Sequence, residues 1–495
     1  MTSPIPSALA AWPEAPRVRT LNLCGVRLEG RYVLCWLQQA LRARDNPVID
    51  AAICLANDLG LPVLVYHGLR EDYPYASDRL HRFILGASRD LARDCRQRGL
   101  ACVQHVERSS NREKGLVYRL ASDSAAVFVE DQPTFVARWQ AERFAGRTDR
   151  AVLAVNAACL VPPAVLGDDI GSTTAFRRRH QPVRGDWLVA EDLHPAMAPY
   201  QGPLPFTPDR LDACSDVDID RFVEQADIDH SLLLDPMFPI GRDGALAKLE
   251  RLMDDVLPSY AAARNDATRP EGASTLSPYL HFGVIGPREI MATVEAAAAP
   301  ANAKEKFADE LLTWREWFHY QARGLAAPER YDRIAGWARD TLEAHAQDER
   351  PDLESLDAML HGETRDETWN ACQRQFLIDG WMHNNLRMYW SKRIIAMTPD
   401  PTTAWATACY LNDRLSLDGR DPSTYGNIAA SFGSGAPGRD GPAVYGKVPT
   451  RSDGSTRHRP GGPEWLETAA RRSPQTRVAS QPLPNEPYLT RKPST

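Results

Sequence analysis

The chain has 495 residues, a formal net charge of −7, and ordinary contents of hydrophobic residues (43%) and charged residues (25%). At about 150 residues per domain, this length predicts two to four domains. The negative charge excludes a protein that binds nucleic acid with its whole surface, so any DNA contact would come from a local basic face.

The cysteine pattern argues against metal and disulfide chemistry. The nine cysteines are scattered, their number is odd, and no pair has C-x-x-C spacing. Zinc ribbons, iron–sulfur clusters and disulfide scaffolds need closer or paired cysteines. We therefore expect no metal site and a reducing, cytoplasmic location. The N-terminus lacks the features of a signal peptide, and no apolar run approaches the length of about 20 residues that a membrane span needs.

The first third of the chain alternates between short apolar runs and helical periodicity. This alternation predicts a five-stranded parallel sheet, Rossmann-like in topology, with helices on both faces. No G-x-G-x-x-G motif follows the first run, so a dinucleotide site of the Rossmann type is not supported there. The predicted strands are Tyr32–Trp36, Leu61–Tyr66, Ala101–Val106, Ala125–Glu130 and Ala151–Val155, and the predicted helices are Pro47–Leu59, Ser77–Arg98, Lys114–Ser122 and Ala137–Phe144.

Beyond the predicted sheet the composition changes. A connector rich in proline and acids is followed by a purely helical pattern, in which Ala303–Arg323 and Trp369–Ala396 are predicted as long helices. The last residues are rich in Gly, Pro, Ser and Arg, which predicts a flexible tail. The predicted division is an N-terminal extension (1–29), an α/β domain (30–160), a connector (161–243), a helical domain (244–447) and the tail (448–495).

Two segments of the helical region have compositions that suggest a ligand. Residues 369–426 combine aromatic rings, amides, arginine and acids, which suits a helix wrapped around a large polar aromatic ligand rather than a helix that only fills a core. The segment Glu271–Gly283 places small hydroxyl residues at the start of a helix, where free N–H groups and hydroxyls suit a phosphate or diphosphate. The alternative is an ordinary helix cap by Ser274 or Ser277.

These segments resemble the flavin-binding domain of the photolyase/cryptochrome family. The resemblance covers residues 30–447, and its most specific motifs lie between 272 and 422. Tyr410-Leu-Asn-Asp-Arg and Asp418-Gly-Arg-Asp-Pro are similar to class II DNA photolyases, whereas Trp314-Arg-Glu-Trp and Gly380-Trp-Met-His-Asn look more like class I. The resemblance implies an antenna-type N-terminal domain, an all-α FAD-binding domain, and a possible second antenna chromophore of unknown identity.

The resemblance also implies which residues bind FAD. An arginine near the ring edge would stabilise the reduced anionic flavin, and an aspartate would hold that arginine in place. The alternative for the arginine is a solvated side chain on a helix. The implied contacts are Tyr260, Ser274, Thr275, Leu276 and Ser277 at the diphosphate, Arg387 with Asp418 beside the ring, and Asn384, Asp421 and Asn412 as polar partners. Ala273 stands where the family has a threonine.

Other residues would serve the reaction itself. Glu316 matches the family's carboxylate at the floor of the lesion pocket, and Met388 matches a position that touches the lesion. Trp381, Trp390 and Trp405 are candidates for a relay that carries electrons to a buried flavin. For Glu316 the alternative is an exposed helix glutamate, and for the methionine and the tryptophans it is core packing.

The chain departs from the family after Pro422. Ser423 stands where the family usually has an asparagine facing flavin N5, unless a local shift brings Asn427 there. No tryptophan follows until Trp465, so the lesion would lack one stacking ring, a loss of about 1–3 kcal/mol. Tyr425, Phe432 or Tyr445 could compensate for that ring.

The leading hypothesis is therefore a light-driven lyase that repairs cyclobutane pyrimidine dimers in damaged DNA with reduced FAD. The alternative is a cryptochrome-like photoreceptor that binds FAD and has lost repair. A third hypothesis is a DNA-binding or scaffold protein that binds no flavin. A basic rim formed by Phe176–His180 together with Lys447, Arg451, Arg457 and Arg459 would contact DNA phosphates, or would be an ordinary solvated charge run. We expect a monomer.

Overall fold

The N-terminal domain is built on a mostly parallel sheet. The computed structural model describes residues 5–189 and 195–484, and within them the sheet has six strands in the order β1-β6-β5-β2-β3-β4. Its strands are β1 (Val18–Thr20), β2 (Tyr32–Leu37), β3 (Val63–Leu69), β4 (Ala101–Val106), β5 (Ser124–Glu130) and β6 (Ala151–Val155). Strands β2, β5 and β6 are buried along their whole length, as expected for a sheet covered on both faces.

The five predicted parallel strands are confirmed as β2 to β6, and the sequence analysis missed a sixth, antiparallel strand. Strand β1 comes from the predicted N-terminal extension and pairs antiparallel with β6, Val18 lying opposite Val155. Its three residues, Val-Arg-Thr, are too few to show an apolar alternation. The helices of this domain are α1 (Ser7–Ala10), α2 (Pro47–Leu59), α3 (Asp78–Gln97), α4 (Leu116–Ser122) and α5 (Phe135–Ala145).

The connector contains short helices and packs against both domains. Its helices are α6 (Pro163–Leu166), α7 (Thr173–His180), α8 (Arg184–Leu188) and α9 (Asp216–Glu224). Phe176 of α7 is fully buried and lies 5.5 Å from the Trp317 ring of the helical domain.

The helical domain confirms the all-α prediction for the second half of the chain. Its helices are α10 (Gly241–Arg251), α11 (Tyr260–Ala263), α12 (Ser277–His281), α13 (Pro287–Ala296), α14 (Ala301–Ala308), α15 (Arg315–Arg323), α16 (Gly336–Ala344), α17 (Leu356–His361), α18 (Glu367–Asp379), α19 (Asn384–Met397), α20 (Pro401–Leu415) and α21 (Pro422–Phe432). A π-helical turn over Asp309–Trp314 joins α14 to α15.

The predicted long helix Trp369–Ala396 is two helices, not one. Helix α18 ends at Gly380, whose φ of +65° is a left-handed C-cap, and α19 begins after three further residues. The interruption turns the Gly-Trp-Met-His segment inward between the two helices. Trp381, Met382 and His383 are all buried there.

The described part of the predicted flexible tail packs against the helical domain. It forms α22 (Gly454–Arg457) and α23 (Gly462–Arg471), and Trp465, Ala469 and Val478 are buried. The few apolar residues of 448–484 thus face the helical domain, and the flexibility of the tail stays a prediction. The remainder of the tail, 485–495, lies outside the described residues, as do 1–4 and 190–194.

Two further features concern the cysteines and the apolar character of the helices. All nine cysteines lie in the described ranges and are free thiols. In the same ranges, no helix has both the length and the apolar character needed to span a membrane.

Candidate functional site

The hydroxyl-rich loop before α12 has a fixed, unusual backbone. Thr275 has a φ of +54°, in the left-handed region that a β-branched residue rarely adopts. The Arg251 guanidinium holds the loop in place by donating to the carbonyls of Glu271 (3.1 Å) and Ala273 (2.6 Å). Backbone strain held by surrounding contacts is typical of ligand-binding segments.

An ion pair stands beside this loop. Arg387 of α19 donates from Nη2 to Asp418 Oδ1 at 3.1 Å and Oδ2 at 3.4 Å, and both side chains are about 90% buried. Burial alone would raise the pKa of Asp418, but the Arg387 guanidinium and hydrogen bonds from Ser277 and Ser416 hold that pKa below its usual value. Asp418 is thus a buried carboxylate that fixes the guanidinium.

A second buried carboxylate lies three residues further on. Asp421 is the N-cap of α21 and accepts from the Ser423 N–H at 2.8 Å. Its Oδ2 lies 3.2 Å from His281 Nδ1 and its Oδ1 lies 3.6 Å from His319 Nε2. Burial acts to raise the pKa of Asp421, and these two imidazoles outweigh it and keep that pKa well below normal.

Several buried polar atoms around these groups have no partner among the described residues. They are Arg387 Nε, Ser423 Oγ and Asn412 Oδ1. Buried polar groups are rarely left unpaired, since each costs about 1–3 kcal/mol. A guanidinium N–H, a hydroxyl and an amide oxygen left open near the Arg387–Asp418 pair indicate space for a ligand with a polar ring edge. The donors and acceptors present therefore fit a flavin.

We call the residues around this space the cradle: Tyr260, Ser274–Ser277, Asn384, Arg387, Asp418, Asp421 and Ser423. Asn384, Arg387 and Met388 share one face of α19 by their i, i+3, i+4 spacing. Asn427 does not take the place of Ser423, because its amide nitrogen donates to the Ser423 carbonyl at 2.8 Å. That Ser423 faces flavin N5 stays a prediction.

Glu316 does not face the cradle, so its predicted role is wrong. It is 2% exposed and accepts from the Leu160 N–H (2.6 Å) and the Val161 N–H (3.4 Å). Its Oε2 also lies 2.8 Å from His180 Nε2. Its oxygens therefore bind the connector to the helical domain.

Glu310, six residues earlier, is a glutamate that the sequence analysis did not single out. It receives hydrogen bonds from Arg264 (2.8 Å) and Lys306 (2.5 Å) and keeps about a fifth of its side chain exposed. The Arg264 carbonyl lies 2.9 Å from the His383 imidazole, which caps α19. Glu310 is thereby connected to the start of the helix that carries Asn384, Arg387 and Met388.

Comparison with known proteins identifies the family of this chain. A family model for DNA photolyase matches residues 33–197. The deoxyribodipyrimidine photo-lyase of Methanothermobacter thermautotrophicus is 30% identical over 457 residues, which cover 89% of this chain and 94% of that protein. The chain belongs to the photolyase/cryptochrome family.

Solved structures of this family have the same fold. A class III photolyase from Agrobacterium tumefaciens has a TM-score of 0.64 and 19% identity, covering 89% of this chain and 87% of that one. A cryptochrome from Synechocystis sp. PCC6803 has a TM-score of 0.62 and 16% identity, covering 88% of each chain. The greater likeness to class II photolyases stays a prediction.

The predicted relay of three tryptophans is not a chain of contacts in this family member. Trp390 stacks on Trp369, with ring centroids 5.9 Å apart and planes within 9°. Trp381 instead meets His383 edge-on, and Trp405 meets Phe432. Trp369 was missed because it precedes the predicted relay and because stacking across two helices has no sequence signal.

The rings expected to replace the missing tryptophan are unsuitable as stacking surfaces. Tyr425 and Phe432 are fully buried, and Tyr445 is 7% exposed. Trp314, which ends the π-helical turn that begins with Asp309 and Glu310, is 40% exposed. An exposed indole on the same turn as Glu310 is the better candidate for contact with a base.

The predicted basic rim is partly used inside the protein. Arg177 pairs bidentately with Asp309, and Arg179 donates to the Leu166 and Asp168 carbonyls. Arg457 pairs with Asp453, and Arg459 reaches Asp266 at 3.6 Å. The cations of the rim left without a carboxylate partner among the described residues are Arg178, Arg179, Lys447 and Arg451. Arg451 Nη1 lies 3.9 Å from Met388 Sδ.

The N-terminal domain holds a separate cavity of about 460 Å³ at the edge of its sheet. Its walls include aromatic rings and cations, among them Trp36, Tyr66, Trp139, Arg143 and Lys114. His281 and Arg420 also line it, and His281 contacts the cradle residue Asp421. This cavity and the cradle therefore share a wall.

Proposed function

We propose that this protein is a light-driven lyase that binds FAD in the cradle and splits cyclobutane pyrimidine dimers in DNA. The observation that carries the proposal is the buried Arg387–Asp418 pair, surrounded by polar atoms that lack a protein partner. The relative from Methanothermobacter thermautotrophicus, which aligns with most of the chain, carries the name of this enzyme.

The residues of the chain have defined tasks in this reaction. FAD, when bound, supplies the absorption of light and the transfer of one electron to the dimer. Arg387 places a fixed positive charge beside the ring, and Asp418 keeps that charge oriented. Glu310 offers a carboxylate to the flipped base, and Trp314 offers a ring for stacking. The Trp369–Trp390 pair offers oxidisable rings inside the helical domain.

We further propose that the N-terminal cavity holds a second, planar aromatic chromophore. A volume of about 460 Å³ lies within the range of about 300–1,000 Å³ of small-molecule sites. The aromatic and cationic lining suits an aromatic anion. A chromophore at this place would be separated from the flavin mainly by His281 and Arg420.

One experiment tests the proposed activity. The purified protein is expected to absorb near 450 nm, and after reduction and illumination to restore an oligonucleotide that contains a single thymine dimer. A matched sample kept in the dark is the control. A yellow protein that leaves the dimer intact under light would refute the proposed repair activity.

The second candidate is a cryptochrome-like photoreceptor that retains FAD without repair. It is favoured by Ser423, whose hydroxyl is unpartnered at the cradle, and by the burial of Tyr425 and Phe432. This candidate predicts light-driven reduction of the flavin with no loss of dimers. The same illuminated sample therefore distinguishes the two functions.

A further inference from the structure

A second cavity of the helical domain lies outside the cradle. It has a volume of about 390 Å³ and opens between α10, α18 and the C-terminal helix α23. Thr275 and Trp381 form its inner wall, while Arg387, Asp418 and Ser423 do not line it. An occupant would therefore rest against the outer side of the cradle.

Cations without carboxylate partners line this cavity. Among the described residues, Lys248, Arg251 and Arg374 form no ion pair. Arg374 makes only one long contact, 3.4 Å to the Gly362 carbonyl, and Lys248 Nζ lies 5.3 Å from the Phe238 ring. Burial, and next the nearby Arg251 charge, lower the pKa of Lys248, and Asp235 acts in the opposite direction.

The acids that line the cavity are already engaged. Asp379 pairs with Arg472 at 2.9 Å, and Asp235 accepts from the Met237 N–H at 2.8 Å. Glu271 lies 3.4 Å from Arg269 at the surface. The positive side chains are thus the ones available to a ligand.

A buried polar group of the lining also lacks a partner, and two indoles stand beside it. Gln375 is 6% exposed, and its Oε1 has no hydrogen-bond partner among the described residues. A buried amide oxygen left unpaired costs about 1–3 kcal/mol, so a missing donor at this place indicates a ligand. Trp381 and Trp465, 6% and 9% exposed, line the same space and offer indole faces.

We propose that this cavity binds a nucleoside phosphate. Lys248 and Arg374 bind the phosphate, the base lies against the indole of Trp465, and Gln375 bonds to the base edge. The volume suits one mononucleotide rather than a polymer. The proposal does not depend on light or on DNA repair, so it stands or falls separately from the proposed function.

The test is a calorimetric titration of the full-length, FAD-loaded protein with AMP, with inorganic phosphate and adenosine as separate arms. We expect saturable binding of AMP and weaker binding in both other arms, because each carries only half of the contacts. The double variant Lys248→Gln/Arg374→Gln should weaken AMP binding by about tenfold or more. Arg178→Gln, on the connector, is the matched control and should leave binding unchanged.

A second variant guards against misfolding of the first. Gln375→Leu keeps the helix and the volume, and it should weaken AMP binding several-fold while the absorbance near 450 nm stays unchanged. Absence of binding, or equal affinity in the variants and the control, would overturn the proposal. Release of FAD by AMP would also overturn it, because the cavity would then be part of the flavin site.

Discussion

Glu310 and Glu316 have different partners because one lies within a π-helical turn and the other lies after it. The π-helical turn Asp309–Trp314 adds one residue to the helix. Side chains before and after the turn therefore point in directions, relative to one another, that a regular α-helix would not give them. Glu316 lies after this turn and binds the connector through Leu160 and Val161. Glu310 lies within it and joins Arg264 beside the cradle.

Replacing each glutamate by glutamine should separate repair from stability. Glu310→Gln removes the charge offered to the base, and we expect dimer repair to slow by about tenfold with little change in stability. Glu316→Gln weakens two charged hydrogen bonds, and we expect a loss of about 1–3 kcal/mol in the free energy of unfolding. Single-turnover repair and urea unfolding measure the two effects.

The pair of variants also tests the corrected assignment. Repair by Glu316→Gln should be normal once it is scaled to the folded, FAD-loaded fraction. If Glu316→Gln instead abolished repair at full stability, while Glu310→Gln repaired normally, the original assignment of Glu316 to the lesion would be restored.

At the scale of elements, the junction of α18 and α19 is held by one buried arginine. Arg79 of α3 donates to the carbonyls of Phe376 (2.8 Å), Leu377 (2.6 Å) and Leu415 (2.5 Å). These carbonyls lie in the last turns of α18 and α20, where carbonyls commonly lack helical partners, although the Phe376 carbonyl also accepts from the Gly380 N–H at 3.1 Å. The N-terminal domain therefore completes the helix ends that position the Gly380–His383 segment.

Gly380→Ala should disturb this junction more than a simple change of backbone preference. A Cβ at Gly380 would lie 2.9 Å from Arg79 Cδ, in a backbone with φ of +65°. Gly60→Ala is the matched control, because its φ is +69° and nothing lies within 4 Å of the added carbon. We expect Gly60→Ala to cost about 1–2 kcal/mol from backbone strain alone.

For Gly380→Ala we expect about 2 kcal/mol more, since Arg79 must move away from its carbonyls. Urea denaturation of the two variants beside the unchanged protein measures the difference. Equal losses for both variants would show that Arg79 adapts without cost.

Stacking of Trp369 on Trp390 predicts which ring serves electron transfer. Trp369→Phe should slow light-driven reduction of the bound flavin by on the order of tenfold, because the ring next to Trp390 becomes hard to oxidise. Trp405→Phe is the control of the same size, since Trp405 contacts Phe432 and the Glu329 carbonyl instead. Absorbance near 450 nm under steady illumination with a thiol reductant follows the reduction. Equal slowing in both variants would contradict the assignment.

Helices and strands are predicted well where caps or continuous apolar runs in the neighbouring sequence set their ends. The predicted bounds of α2 and β6 match the structure, because Asn46 and Gly60 cap the helix and β6 is one continuous apolar run. The ion pair of Arg387 and Asp418 was also predicted, through motifs. The π-helical turn and the stack of Trp369 depend on contacts between distant segments, which no periodicity in the sequence reports.

At the scale of the whole molecule, the segments with the weakest sequence patterns hold the protein together. The connector binds Glu316, and Arg477 of the tail pairs with Glu363 at 2.7 Å. Arg414 donates to Asp229 of the connector and to the Ala479 carbonyl of the tail. Paired arginines and a few buried apolar residues therefore attach these polar segments to the two domains.

Glu329 lies where the two domains meet, and it makes stability depend on pH. It is 6% exposed, and burial raises its pKa from 4.5 to about 7, with Arg138 of α5 and Arg333 of the helical domain opposing that rise. Asp413 of α20 adds to the rise. A carboxyl whose pKa is higher in the folded state costs nothing below pH 4.5, and its cost grows as the pH rises towards 7.

Glu329→Gln removes this cost while keeping the shape of the side chain. We therefore expect the variant to gain up to about 3 kcal/mol in the free energy of unfolding at pH 8 and little at pH 5. Urea denaturation at both values measures the gain, and Glu349→Gln, at an exposed position, is the control that should gain at neither. A gain of equal size at pH 5 and pH 8 would show that packing, and not the buried charge, causes the difference in stability between Glu329 and its glutamine variant.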